Sequence, residues 1–510
     1  MAVTDESAVP TPQTEPSAPA QSPVLNRRTV LASAAAAGIG VAAARLIALG
    51  NEPAFTPVPI TGTLGNKLGL DWVSPLTSDS MRVAHLLRRT TFGASDAELQ
   101  QAQSDGFKMT VDKLIETPIA EPAALAGADD ANQEKGLNVG QFQQWWTDWM
   151  LNSPTPFGER MTLFWHGHFT SDFRKVGAQS PFVYWQNQTW RKYALSDLRT
   201  FLMQVTIDPG MLRYLDLGNS TGRNPNENYS RELMELFTMG PDAFTESDVK
   251  AGAKALAGWR EPLTQSIVDA QIKRQMMNNG GVAPKNPPKA DTVKTGVYDR
   301  NRAYTGPAFA YLGEVKIWNT DGVIDKILDQ DATAPYITHK VVTHFVTSQP
   351  TDEYIARIAG NFRRSRYDLR TLMRDVFMSP EFVAPTSYRA LIKTPTEFMV
   401  HAVKALGEKT TLNRLIPGSG QGMGQTLYDP PSVGGWPENE SWISSNTMLA
   451  RANFVTAVLQ GNRKLAAAGN AHQTHLDGVL SPQTLKLLNE AVDDRRRWSI
   501  VFASPEFQLK

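Results

Sequence analysis

Helix starts dominate this sequence and restrict its fold more than any other feature. In "GASDAEL", Ser95 stands three residues before Glu98. In that capping-box spacing, hydroxyl and carboxylate each satisfy a backbone N–H that a helix leaves open. "TESD" repeats the device with Thr245 and Asp248. In "SPTPFGERMTLFWHGHF", Thr155 takes the cap position and Pro156 the first helical position, where a missing N–H costs nothing. "ENYSRELMELFTMG" has apolar residues at helical spacing and stops at Gly240-Pro241. Similar patterns recur over 322–348, 351–378, 394–406, 447–459 and 483–503, while period-two alternation is scarce. The expectation is a mainly α protein, a large multi-helix globular fold. One loop-rich or short-strand insertion around 261–316, with strands at 266–274 and 292–298, divides an N-terminal helical half (80–260) from a C-terminal half (317–510). A second irregular segment covers 418–442, and "FMSPEF" (377–382) is echoed by "FASPEF" (502–507).

A chain of 510 residues, 41% of them hydrophobic, can bury a substantial core. Lys+Arg and Asp+Glu both number 51, so the basic excess that phosphate neutralisation requires is missing and no nucleic acid is expected as partner. There is no cysteine. Disulfides, thiolate nucleophiles, thiolate metal sites and lipid attachment through an N-terminal cysteine are therefore excluded.

Residues 1–25 are rich in Pro, Ser, Thr and Ala and read as disordered. "NRRTVLASAAAAGIGVAAARLIALG" (26–50) then sets Arg27 and Arg28 before an apolar run made mostly of Ala and Gly and interrupted by Arg45. A membrane span wants about 20 strongly apolar residues, so an anchor fits poorly. The plain reading is a helix start with two solvated charges. The stretch resembles a twin-arginine signal peptide. That resemblance implies a secreted protein, handed folded to the twin-arginine translocase and periplasmic or extracellular after cleavage, with 51–79 as a linker.

Three groups of residues could carry chemistry. In "NENYSRELMELF" (226–237), Glu227, Arg231 and Glu235 fall along one helical stripe with Glu232 about 60° further round. They are either i,i+4 ion pairs on a solvated face or a buried set in which Arg231 holds one glutamate ionised while another stays protonated. The second arrangement suits acid–base chemistry on a glycosidic bond and requires the charged face to line a cleft. In "FWHGHF", His166 and His168 could chelate a divalent metal only if Gly167 ends the helix, because on a continuous helix they diverge by roughly 200°. The other reading packs one histidine among aromatic rings and leaves one exposed. Half of the twelve tryptophans (Trp145, Trp146, Trp149, Trp165, Trp185 and Trp190) crowd the same region, as core or as faces for sugar rings. His339 and His344 in "ITHKVVTHF" are explained by helical packing, and His472 and His475 sit in a polar loop.

The blocks "HLLRRTTFGASDAEL" (85–99), "ERMTLFWHGHFTS" (159–171), "NENYSRELMELFTMG" (226–240) and "YDPPSVGGWPENESWISS" (428–445), with the two SPEF endings, resemble the bacterial family catalogued as domain of unknown function 1800. The resemblance implies an exported, mainly helical protein with no agreed activity. It also implies a possible neighbour, a second exported family shaped like phosphatases and sulfatases. Its blocks contain Arg88, Arg89, His166, His168, Glu227, Asn228, Arg231, Glu232 and Glu235. The catalytic candidates are Glu227, Arg231, Glu232 and Glu235. Arg88, Arg89, Trp165 and Asn228 are binding candidates, and His166 and His168 candidate metal ligands. Relatives often carry a His-Asp pair before the "LG" where this chain reads "DRNRAYTGPAFAYLG" (299–313) without histidine. Two functions remain open: an exported enzyme acting on a polysaccharide or related envelope polymer, and a non-catalytic binding or scaffold protein working with the phosphatase-like neighbour.

Overall fold

The computed structural model describes residues 74–128, 138–177, 181–407, 412–462 and 465–510. Arg27, Arg28, the segment 1–50 and most of the expected linker lie outside the described residues. Among those described, twenty-three α-helices stand beside two small two-stranded antiparallel sheets, so the chain is mainly α. No described helix is long and apolar enough to cross a membrane.

Local signals account for most helix starts. Ser95–Glu98 and Thr245–Asp248 both close as reciprocal capping boxes, opening helices Asp96–Asp105 and Glu246–Leu256. Thr155 does occupy the cap position of Pro156–His168, but its hydroxyl makes no cap bond; it accepts from the Ala120 N–H at 2.9 Å. The long periodic stretches divide. The pattern over 322–348 becomes Thr320–Leu328 and Thr333–Phe345, and that over 351–378 becomes Asp352–Arg364 and Leu369–Phe377. Arg366 and Tyr367, at φ 58° and 62°, turn the chain between the last two.

The insertion differs from expectation in one place. Residues 266–274 are not a strand but part of helix Gln265–Asn278, capped by Thr264. Only Val268 of it is buried, and the Thr264 side chain accepts from the Ile267 N–H to start the helix. The strands that do form are Trp259–Arg260 paired with Val297–Tyr298, and the hairpin Phe309–Tyr311 with Glu314–Lys316. The SPEF echo is one turn used twice: Ser379 and Ser504 accept from the N–H groups of Phe382 and Phe507 at 3.2 and 3.3 Å. Each turn drives its phenylalanine, fully buried, into the core.

One contiguous apolar core runs from Val83 to Phe507 and draws side chains from both halves. Trp146, Trp165, Trp185 and Trp190 are buried in it. Burying an aromatic side chain of this kind stabilises by roughly 1.5–3 kcal/mol. The Pro156–His168 helix passes through the middle, buried without interruption from Phe157 to His166. Its Glu159 is saturated there, accepting from the indoles of Trp146 and Trp149 and from Arg191 at 2.6 and 2.9 Å. A short antiparallel ladder joins residues 391–393 to 508–510. Lys393 N–H donates to the Gln508 carbonyl and Lys510 N–H to that of Leu391, both at 2.8 Å. The ladder carries Lys510 to the start of helix Pro395–Ala405.

Candidate functional site

Two helices and a glycine-bearing loop enclose the candidate site. Phe164, Gly167 and His168 of Pro156–His168 face Tyr336, Lys340, Thr343 and His344 of Thr333–Phe345 across a cleft. Spacings of three and four put each set on one side of its helix. The rings of Phe164 and His344 approach to 5.2 Å at the narrow end. The third wall is the loop 434–442, with Trp436, Glu438, Asn439 and Trp442. Gly435 lets this loop lie against the helix end: its φ is 85°, and a Cβ there would collide with the Gly167 carbonyl oxygen. Asn439 Oδ1 accepts from the Ile392 N–H at 2.8 Å, tying the loop to the ladder. The cleft offers water about 110 Å³ and opens to solvent at its rim.

The floor is charged and dry. Glu397 is buried, and its Oε1 receives Lys510 Nζ at 2.6 Å together with the Arg160 guanidinium. Its Oε2 accepts from the Thr394 N–H at 2.9 Å, one half of another capping box. Burial alone would raise the proton affinity of this carboxyl. Arg160 and then Lys510 outweigh it and hold Glu397 well below the usual carboxylate range. Burial brings the Lys510 ammonium down to about 7 against the opposing pull of Glu397. His344 is pushed well below its usual value by burial and then by Lys510 and Arg160, so it is neutral at pH 7. Arg89, Lys393 and Arg451 are buried too and lie within electrostatic reach of Glu397. Five basic side chains thus surround one carboxylate. Two buried polar atoms of the cleft have no hydrogen-bond partner: Nδ2 of Asn439, and Nε2 of His344, which stands 3.9 Å from Glu397.

The residues singled out from sequence scatter around this cleft. Of the metal candidates, only His168 lines it. The helix is continuous through Gly167, so the two imidazoles part. His168 Nε2 donates to the Phe237 carbonyl at 3.0 Å. His166 Nε2 accepts from the Tyr428 N–H at 3.0 Å, with Trp146, Trp190, Tyr428 and Trp436 around its ring. Burial takes both histidines down to about 3. Among the described residues, no three His, Asp or Glu side chains are grouped to hold a metal ion. Trp165 is fully buried against Phe169 and Phe201, its indole N–H donating to the Ala194 carbonyl at 3.0 Å. Arg88 grips Asp477 with two contacts of 2.7 Å. Arg89 donates to the Ser387 carbonyl and borders the charged floor from behind.

Glu227, Arg231, Glu232 and Glu235 belong to helix Asn228–Glu235 and its cap, and none lines the cleft; Leu236, just beyond, does. Arg231 passes over Glu227 and Glu235 and forms a bidentate pair with Glu246 at 2.6 and 2.8 Å. Asn228 donates to Asp216 at 3.2 Å. Glu232 is half-buried, and burial followed by the charge of Glu235 raises it above the usual carboxylate value. Glu235 reaches the rim electrically: burial first, and then Glu235 and Glu438, push the Tyr336 hydroxyl up to about 12.

Sequence reasoning passed over Arg160, Tyr336, Lys340, His344, Glu397 and Lys510. One usable signal existed: "TPTEF" is a capping box whose Glu397 would sit at a buried helix start. "GGWPENESW" was prominent but carried no assignment for Trp436, Asn439 or Trp442.

Comparison with known proteins places a family model, described as "Protein of unknown function (DUF1800)", on residues 85–509. Neither the curated proteins nor the solved structures gave a match.

Proposed function

The chain belongs to the DUF1800 family, whose description assigns no activity, and from that premise we propose an exported protein that binds an envelope polysaccharide or related polymer in the cleft. The observation that carries this reading is a cleft lined by four aromatic residues, Phe164, Tyr336, Trp436 and Trp442, with Tyr336 and Trp436 only half-buried. Aromatic faces stack on the apolar faces of sugar rings, and their polar edges remain hydrated. Export rests on the Arg27-Arg28 pattern, through the twin-arginine translocase to the periplasm or beyond; an exported phosphatase- or sulfatase-like protein is the partner this setting suggests. The test is calorimetric titration with soluble capsular and storage polysaccharides. Trp436→Ala should lower affinity for the bound glycan at least tenfold; equal affinity of variant and native protein refutes the assignment of the cleft.

A catalytic role on the same polymer is favoured by one observation. Lys510, at about 7, is a group able to move a proton at neutral pH beside the cleft. Release of new reducing ends tests it. If Glu232→Gln and Glu235→Gln both leave that rate unchanged, the helix glutamates take no part. Less than about a tenth of an equivalent of transition metal in exported protein removes a metal-assisted version.

A further inference from the structure

We propose that the polymer taken by this cleft is acidic, its carboxylate or sulfate groups being held by Lys340, Asn439 and the ammonium of Lys510. This rests on the polymer-binding reading above and adds the charge class of the ligand.

The floor supplies the first argument. Arg89, Arg160, Lys393, Arg451 and Lys510 are all buried around Glu397, which pairs with Arg160 and Lys510. Lys393 spends its ammonium on the Phe507 carbonyl at 2.7 Å, and Arg451 spends its guanidinium on Gln508 and the Lys393 carbonyl at 2.9 and 2.8 Å. Those are neutral acceptors, and burial, then the charge of Arg88, pushes Lys393 well below its usual value, so the floor sheds part of its positive charge. Buried charge of one sign is costly unless an opposite charge approaches it. Lys510 is among the residues lining the cleft, so an anion bound there would face it.

The second argument is the set of free donors. Asn439 Nδ2 is buried in the cleft wall without a partner, while its Oδ1 is fixed by the Ile392 N–H. The amide therefore points its N–H₂ away from the ladder in a set orientation. Lys340 forms no ion pair among the described residues and stands 5.7 Å from the Tyr336 ring centre. A sugar stacked on Tyr336 or Trp436 would bring an acidic substituent within reach of Lys340. The rim carboxylates Glu438 and Glu235 oppose any anion that does not enter this deeply. The groups acting on Lys510 are Glu397, Arg160, Arg89 and neutral His344, so binding should weaken as pH rises and Lys510 sheds its proton.

The test titrates the full chain with oligogalacturonate, the same oligomer fully methyl-esterified, and dextran sulfate beside neutral dextran. The expected result is at least tenfold tighter binding of an anionic preparation than of its neutral counterpart. Lys340→Ala and Asn439→Ala, each checked for an unchanged thermal midpoint, should each remove most of that ratio. Preference for oligogalacturonate assigns a carboxylate site and preference for dextran sulfate a sulfate site; either supports the proposal. Equal binding of charged and neutral forms overturns the acidic ligand and leaves polymer binding standing. Binding of none of the four overturns both.

Discussion

Replacing Glu397 by glutamine isolates the electrostatics of the buried floor. The amide keeps the shape of the side chain and an oxygen for the Thr394 N–H, so the capping box survives while the charge goes. What remains is Arg160 and Lys510 with no anion between them. Breaking a buried ion pair from one side costs about 3–5 kcal/mol. Lys510, already brought down to about 7, can limit the loss by releasing its proton. The expectation is therefore the lower part of that range, about 3 kcal/mol at pH 7. A cooperative unit of this size has an unfolding entropy of about 0.9 kcal/mol/K, so the midpoint should fall by roughly 3 °C in scanning calorimetry. The sign with pH follows from the depressed carboxyl of Glu397. Its stabilisation is complete above the unfolded value of about 4.3 and drains away as pH falls toward the folded value. The gap between native and variant should accordingly narrow below pH 4, and it should also shrink as pH rises through about 7, where native Lys510 releases the proton that Glu397 helps it keep. A variant melting within 1 °C of native protein at pH 7 would show that Glu397 does not hold this cluster together.

Lys510→Met addresses the same floor from the other side. The folded amine at about 7 lies below its unfolded value of about 10.4, so the burial penalty is complete below pH 7 and is relieved as pH climbs past it. Native stability should gain between pH 7 and 10 from this group; urea titrations across that range should find the gain diminished in the variant, and an identical slope refutes the assignment. Arg231→Ala removes a surface pair with Glu246 and should cost no more than about 1 kcal/mol; a larger loss in urea unfolding would mean the pair supports more than the surface. Gly435→Ala forces a side chain into left-handed backbone against Gly167 and should cost about 1–3 kcal/mol while displacing Trp436. Melting at the native temperature with full glycan affinity would exclude that role for the glycine.

What could be read directly from the chain was whatever is decided within one helical turn. Ser95 with Glu98 and Thr245 with Asp248 needed only near neighbours, and both boxes formed. Thr155 shows the boundary of such reasoning: its position was clear, but its hydroxyl goes to Ala120, thirty-five residues earlier. Residues 266–274, expected as a strand, lie in a helix whose start is set by Thr264, just outside that stretch. The cleft is harder still to read. Its walls come from around residues 164, 340 and 436, and Lys510 meets Glu397 across 113 positions of sequence. No periodicity encodes such a meeting. The charged stripe of Glu227, Arg231 and Glu235 was visible because it is local, and Arg231 then found its partner in another helix.

The bond from Asn439 to Ile392 makes rim and floor mechanically one piece. Because Ile392 sits in the ladder that delivers Lys510, a guest pulling on the Trp436 loop strains the backbone that aims the lysine. Occupancy at the mouth would therefore be felt at the buried Glu397–Lys510 pair, and a filled protein should resist unfolding as a unit rather than merely grip its guest more firmly.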